Sequence, residues 1–512
     1  MTELWTVYMR ILSFFIISLI CVCLIRVQAA AWEGLDISGY VSQHTLYRVV
    51  DSDDPDDEDL MKVEEKLMIE LEQSFNLAEF YVSGEAIYDP KAYRDWVEDD
   101  FSDRYSRTFY RLKEAYVDLG FENFDLRLGN QVVVWGKSDG MPITDVITPI
   151  DLSEFVIPEF EDQRLGIPAA KLSYYFGDFT FEGVVFPWFY ESNIPDDGNW
   201  KMQPDYDEFE AATALGFYKE YGTFVGGIRI VEEKPDSGWD EVEFGIRLSG
   251  MVANSDVALI YFHGWEDTPS ISGPTEVIGL GPSTPFIVSR IDYARMDMVG
   301  LNFTRPLSKF ILRGEFAYLI DKRFNSRDTV TLNPSDDFLA WKAAIESATT
   351  MYEKDMLQLM IGADYSGITN VTLSLQFEEK FIMNFDSEDG LLRSSALAKT
   401  ASDLNAQNAL ESLMKIVAIQ ASDEGRLKET EESITFTATG RFMQETLQPQ
   451  LLLLYNFDYE DYYLKLSLGY NISDAIWVHV GYYRFEGDDT TVYGMFDDND
   501  SVFFKLKYSF GF

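Results

Sequence analysis

The chain is poor in cysteine. It has two, Cys21 and Cys23, and both fall inside one apolar segment near the N-terminus. A chain that loses this segment keeps no thiol, which excludes a disulfide framework and thiol chemistry. Histidine is almost as scarce, with His44, His263 and His479 far apart in sequence. No Ser-His-Asp, zinc or phosphate-loop spacing accompanies them, so catalysis has little footing. Basic residues are outnumbered, 41 against 87 acidic ones, and the formal net charge of −46 would repel nucleic acid. Beyond the N-terminal segment no stretch approaches the roughly 18 apolar residues that a membrane-crossing helix demands.

What is present begins with residues 1–29. Arg10 precedes an uncharged run from Ile11 to Ile25, and Val27-Gln28-Ala29 puts small residues where a signal peptidase reads them. Positive, then apolar, then small is the order of a secretory signal peptide, leaving 30–512 as the exported body. That body is acidic yet 15% aromatic, which argues against disorder. From Asp36 onward it repeats one unit, a run of alternating apolar and polar residues followed by a turn. Ile434-Thr-Phe436-Thr-Ala438-Thr-Gly440 and Val371-Thr-Leu373-Ser-Leu375-Gln-Phe377 are clear cases. Side chains alternate across a strand, so each run has one apolar and one polar face.

A soluble sandwich would alternate in the same way, and connector length separates the two. Every second connector is tight, as at Phe75-Asn76-Leu77, Gly120-Phe121-Glu122, Gly177-Asp178 and Ala253-Asn254, while the intervening ones are mostly long. Short periplasmic turns alternating with long extracellular loops are the grammar of an outer-membrane barrel. The pattern predicts an all-β fold, a transmembrane antiparallel β-barrel of about 20 strands (18–22) in residues 30–512. Its runs extend from 35–49 to 501–512 and include 208–220, 222–234, 290–305 and 430–443. The last run places Phe504, Leu506, Tyr508, Phe510 and Phe512 on one face. An amphipathic final strand ending in Phe resembles the signal read by the barrel-assembly machinery, with Phe510 and Phe512 as its aromatic end.

The polar faces define an expected lumen. Arg127, Gln131, Lys171, Arg229, Arg247, Arg313, Glu315, Arg441 and Lys465 are the predicted pore-lining residues, because Arg or Lys facing lipid at mid-membrane costs about 2–4 kcal/mol. Both signs are represented there, so no ion selectivity emerges. Three long connectors could constrict, plug or lid the pore: 136–166, 323–352 and 383–430. The first is stiffened by Pro142, Pro149 and Pro158, and the other two carry helical apolar spacing, Phe338-Trp341-Ile345-Ala348 and Leu397-Ala401-Leu404. The acidic runs Asp51–Asp59, Asp95–Asp103, 196–210 and Asp488–Asp500 fall at long loops. They offer oxygen ligands that could hold Ca²⁺ or Mg²⁺ against lipopolysaccharide, or they are plain solvated charge. No other cofactor and no metal site is implied.

At the first long loop the chain reads Leu126-Arg-Leu-Gly129-Asn-Gln131-Val-Val-Val-Trp135-Gly136, then Thr148-Pro149-Ile-Asp151. This resembles the strand-and-loop motif of a large family of proteobacterial outer-membrane barrels without assigned function, and more loosely alginate-export and other substrate-specific porins. Thr148 departs from it, since that family has Asn there. The resemblance implies a pore shaped by this loop, with Gly129, Trp135, Gly136, Pro149 and Asp151 as its pivot and with organic or lipid-like substrates. Gly129 and Gly136 would permit a bend, and Trp135 would mark either the aromatic girdle or the start of an infolded loop. The expectation is a porin-like channel in the cell outer membrane, passing small solutes amid lipid and lipopolysaccharide. Long loops suit a monomer and a trimer alike. An adhesive barrel that binds an external partner, or less readily a hydrolase built around His479, are the alternatives.

Overall fold

The computed structural model describes residues 34–50, 59–89, 110–139, 143–195, 198–202, 228–236, 238, 241–277, 287–326, 350–387, 390–393 and 425–512. Its strands are β1 (Leu35–Arg48), β2 (Leu60–Phe75), β3 (Ala78–Tyr88), β4 (Tyr110–Gly120), β5 (Phe124–Gln131), β6 (Ile167–Phe176), β7 (Phe179–Phe186), β8 (Ile228–Glu233), β9 (Glu243–Val252), β10 (Ser255–Trp265), β11 (Ser270–Val277), β12 (Ile287–Asp292), β13 (Arg295–Leu307), β14 (Phe310–Ser326), β15 (Thr350–Ile368), β16 (Val371–Ile382), β17 (Thr430–Gly440), β18 (Leu447–Asn456), β19 (Asp461–Ser473), β20 (Ile476–Glu486) and β21 (Ser501–Gly511). Eighteen of them form one antiparallel sheet, each pairing with the next barrel strand. The last pairs with the first, from Ser38 opposite Gly511 to Arg48 opposite Ser501, and so closes the ring.

The ring has two strands fewer than the central expectation of about 20 and lies within its bounds. The difference arises between β7 and β10. β7 pairs directly with β9, whereas β8 runs parallel to β12, which pairs with β11 in a separate three-stranded sheet. The 222–234 run is therefore a loop strand, and 208–220 lies outside the described residues. The 290–305 run is two strands, broken at Tyr293, whose hydroxyl lies 2.8 Å from both the Glu191 and the Glu232 carboxylate and can donate to either. Alternation marks any half-buried strand, whether it lies in the ring or in a loop. The helical spacing at 338–348 and 397–417 and the 1–29 leader also lie outside the described residues.

Alternation sorts the wall. On β10, Leu259 is 53% exposed while Ala258, Ile260 and Phe262 are buried inside. On β16, Leu375 is 52% exposed while Ser374 and Gln376 are buried. Aromatic pairs ring the end with the short turns: Phe75 against Phe80, Phe121 stacked on Phe124 at 4.4 Å, Phe176 on Phe179, and Phe310 on Tyr365. Such a girdle sits at the membrane–water boundary, and the exposed aliphatic band above it faces lipid. Leu375→Arg is expected to lower folding stability in lipid by about 2–4 kcal/mol. Thr437→Lys, one strand away at the register of the inward Ser374, should change it little. Equal effects in denaturant titrations would mean that the two faces are misassigned.

Candidate lumenal constriction

Residues 132–139 and 143–166 leave the ring after β5 and cross its interior. The departure is prepared at Gly129, whose φ of +135° is one that L side chains rarely adopt. A Cβ there would also stand 2.3 Å from the Ala115 carbonyl oxygen, so only glycine fits both the conformation and the space. Gln131, fully buried, donates to the Ala169 carbonyl at 2.9 Å. Val133 and Trp135 then turn inward. Trp135 is 2% exposed and lies inside the barrel rather than in the girdle; its ring packs so closely on Gly245 of β9 that a Cβ there would be 2.7 Å away. Ile143 and Ile147 join it against Phe186, Ile260, Met298 and Leu319 of the inner wall.

A loop inside a barrel must find partners for its own backbone, because unpaired buried N–H groups are costly. Glu315 of β14 supplies partners for three loop amides. One carboxylate oxygen accepts from the amides of Lys137 and Ser138, the latter at 2.6 Å, and the other from the amide and hydroxyl of Thr144 at 3.0 and 2.7 Å. Gly136 lies against the same carboxylate, 3.5 Å from where its Cβ would be. Next to this clamp Arg313 binds Asp139 and Asp364, the latter at 2.7 Å, and Gln376 both accepts from the Asp139 amide and donates to its carboxylate. Asn302 donates to the Trp135 carbonyl at 2.8 Å. Thr148, the departure from the resembled motif, both accepts from the Val133 amide and donates to its carbonyl. A hydroxyl thus supplies donor and acceptor together.

The returning limb meets the opposite wall by charge. Asp151 binds Arg111 of β4, which also holds Glu85 at 2.7 Å. Glu154 pairs with Lys62 of β2, Glu159 with Lys465 of β19, each at 2.6 Å, and Asp162 with Lys113 at 3.7 Å. Pro149 accepts from the Leu165 amide, and Asp145 binds Arg164 at 2.6 Å, tying the limbs to each other. Phe155 seats the limb in an aromatic nest with Phe496, Trp200 and Phe485. Desolvation by the surrounding barrel wall alone would raise the carboxyl pKa values of Asp151, Glu159 and Asp162. The neighbouring Arg111, Lys465, and Lys66 with Lys113, respectively, outweigh it and hold each below the ordinary value.

The other expected lining residues distribute unevenly. Arg127 pairs with Asp118 at 2.6 Å and Arg247 with Glu182 at 2.6 Å on the inner wall, and Lys171 faces Arg127 across β5 and β6. Arg229 belongs to β8 and so stands off the barrel wall. Arg441 lies past the end of β17 in an exposed periplasmic turn, its amide bonded to the Asn370 carbonyl. Alternation extends the run to 443, but the ladder stops at Gly440, and Met443 to Glu445 all take positive φ. Phe510 and Phe512 stack at 6.1 Å at the closure of the ring. The histidines are far apart in sequence, yet the register sets His44 and His479 on either side of Lys505 in one row, while His263 is paired with Asp297 elsewhere. Among the described residues no cluster of His, Cys, Asp or Glu could hold a metal ion.

Glu315→Gln replaces an acceptor oxygen by a donor and leaves loop N–H groups unsatisfied, at a cost of about 1–3 kcal/mol. Tryptic cleavage at Lys137 of the refolded protein should accelerate roughly 5- to 150-fold, since cleavage tracks the open population; an unchanged rate would mean that Glu315 does not hold the loop. Depressed carboxyl values stabilise the fold above the unfolded value of about 4 and lose that contribution as pH falls through the folded ones. The wild-type melting temperature should accordingly fall in that acid range. A variant with Asp151→Asn, Glu159→Gln and Asp162→Asn should melt lower at neutral pH and respond less to acid; parallel profiles would contradict the charge pairing.

Among solved structures, the fold resembles OccAB1 of Acinetobacter baumannii, with a TM-score of 0.44 and 10% identity over 94% of this chain and 97% of that one. It also resembles the outer-membrane protein OpdK of Pseudomonas aeruginosa, at 0.44 and 8% over 94% and 100%, and a BenF-like porin of Pseudomonas fluorescens Pf-5, at 0.43 and 7% over 93% and 98%. No curated protein sequence matches the chain. A family model described as a protein of unknown function (DUF1302) matches residues 55–510, and the chain belongs to that family.

Proposed function

We propose that this barrel is a porin-like channel of the outer membrane in which residues 132–166 narrow the lumen and select which small organic solutes diffuse through. One observation carries the reading: a closed ring of eighteen strands surrounds an interior with many inward polar and charged side chains, and among the described residues one infolded loop crosses it from wall to wall. Barrels of about 16–18 strands leave an aqueous channel, and a barrel needed only as an anchor can be far smaller. Five lumenal lysines, Lys62, Lys66, Lys465, Lys505 and Lys507, lie together on β2, β19 and β21, and the returning limb lays carboxylates across them. A solute that passes this level must move between that charged seam and the clamp at Glu315. The likeness of Gly129, Gln131 and Gly136 to the motif of alginate-export and other substrate-specific porins belongs to the same reading, as do Phe510 and Phe512 as the assembly signal.

Single-channel conductance of the refolded chain in a planar bilayer tests it. Steady conductance is expected, and deletion of Lys137 to Gln163 should enlarge it severalfold. Silence in both proteins would end the channel reading and leave an adhesive or closed barrel in its place.

A further inference from the structure

At the end with the long connectors, residues 390–393 pair with 425–427 through Leu427 N–H to the Leu391 carbonyl at 2.9 Å and Arg393 N–H to the Gly425 carbonyl at 3.0 Å. This frame borders a cavity of about 560 Å³, walled by Phe385, Leu391, Leu427 and Tyr459 on its apolar side and by Arg393 and Lys428 on its charged side. Arg393 is 6% exposed. Its guanidinium lies 4.2 Å from the Tyr459 ring centroid and Nη2 donates to Thr490 at 2.8 Å, but Nε and Nη1 have no acceptor among the described residues. Among the described residues none of the acids around it forms an ion pair with Arg393: Asp458 binds Lys428 and the Glu432 amide, Asp488 the amide and hydroxyl of Thr490, Glu431 binds Lys380 and Asn456, and Asp461 accepts from the Tyr493 amide through one oxygen. Glu429 is exposed. In a chain with a net charge of −46, a desolvated guanidinium without a carboxylate is an exception that needs a reason, because burying a charge unpaired is costly. Burial accordingly pushes its pKa down from the usual value.

We infer that this cavity binds a small amphipathic carboxylate, its anionic head on Arg393 and its apolar body against Phe385, Leu391 and Leu427. Guanidinium is the cation best suited to a carboxylate in a dry site. The apolar walls exclude water and make neutral polar solutes poor competitors. The inference deepens the channel reading and rests on it only for the step after binding, passage into the lumen. It names an anion as the solute captured at the outer mouth, where the acidic loops alone would suggest a cation.

Isothermal calorimetry of the full refolded chain in detergent, with benzoate and its neutral isostere benzamide as probes, tests this without ion flow. Benzoate should bind at least tenfold more tightly than benzamide. Arg393→Met should abolish that preference without lowering the melting temperature, since a buried unpaired charge gives way to an apolar side chain of similar length. Leu427→Trp, which fills the cavity and keeps Arg393, should weaken benzoate to a similar degree and decides the matter alone if the first variant does not refold. Equal binding of the two probes, absence of benzoate binding, or benzoate binding unchanged in either variant overturns the inference. A silent bilayer beside intact benzoate binding would sink the channel and leave the site standing.

Discussion

Hydrocarbon offers the peptide backbone no hydrogen-bond partner, so the closure of β21 on β1 is the contact on which the remaining architecture depends. An open edge anywhere on the sheet would leave a row of N–H and C=O groups in lipid. Closure with eighteen strands removes the edge but encloses more space than wall side chains can fill. The infolded loop answers that space, and it brings in a backbone with the same demand for partners. Hence the inner wall of β13, β14 and β16 carries Asn302, Arg313, Glu315 and Gln376 where a packed core would carry aliphatic residues. These polar residues satisfy the loop as the ladder satisfies the strands.

The two limbs of the loop use different physics because they meet different walls. The outgoing limb enters beside Gly245, Ala258, Gly300 and Ala317, small residues on the inner faces of β9, β10, β13 and β14. Small wall residues leave room for Trp135 and Ile147, and burial of such side chains against the wall stabilises the limb by about 1.5–3 kcal/mol for each fully buried one. The returning limb meets Lys62, Arg111, Lys113 and Lys465, too long and too charged for such packing, and supplies carboxylates in register with them. Every one of these cations lies on an inward position of its strand. Replacing the acids by apolar residues would strand those charges in a half-dry interior.

Much of this was legible in sequence, and the limits have physical causes. The parity of connector lengths, the apolar and polar faces of β16, β17 and β21, and the glycine at 129 are local features, and local features survive in a one-dimensional reading. The strand count was blurred at β8 because a strand in a loop sheet alternates just as a barrel strand does. Arg229 was misplaced with β8, and Arg441 by three residues of strand that the turn after Gly440 takes away. Glu315 could be named as inward from its alternation, but its three loop partners lie more than 170 residues upstream in sequence, and no spacing rule reaches that far. The row of His44, Lys505 and His479 was hidden for the same reason, since closure sets the first strand beside the last. Trp135 was open between girdle and interior until Gly245, on another strand, gave it a seat.

The difference between the limbs also decides how the loop can respond to its surroundings. Apolar packing around Trp135 is insensitive to salt and to pH, so that part of the outgoing limb is a fixed anchor. The pairs at Asp151, Glu154 and Glu159 are electrostatic and partly wet, and charges of that kind are screened over about 8 Å at physiological ionic strength. An anion arriving from the outer mouth competes for the same cations that hold the returning limb, Lys465 first among them because its partner Glu159 has a side chain 59% exposed. In the proposed channel an anionic solute would therefore loosen the returning limb, while the clamp at Glu315 would keep the loop in the lumen. An apolar solute has no such lever, since nothing in the seam would prefer it to the carboxylates already there. In the proposed channel, constriction and selection have one origin, the exchange of a carboxylate of the protein for a carboxylate of the solute at the lysines that hold the returning limb.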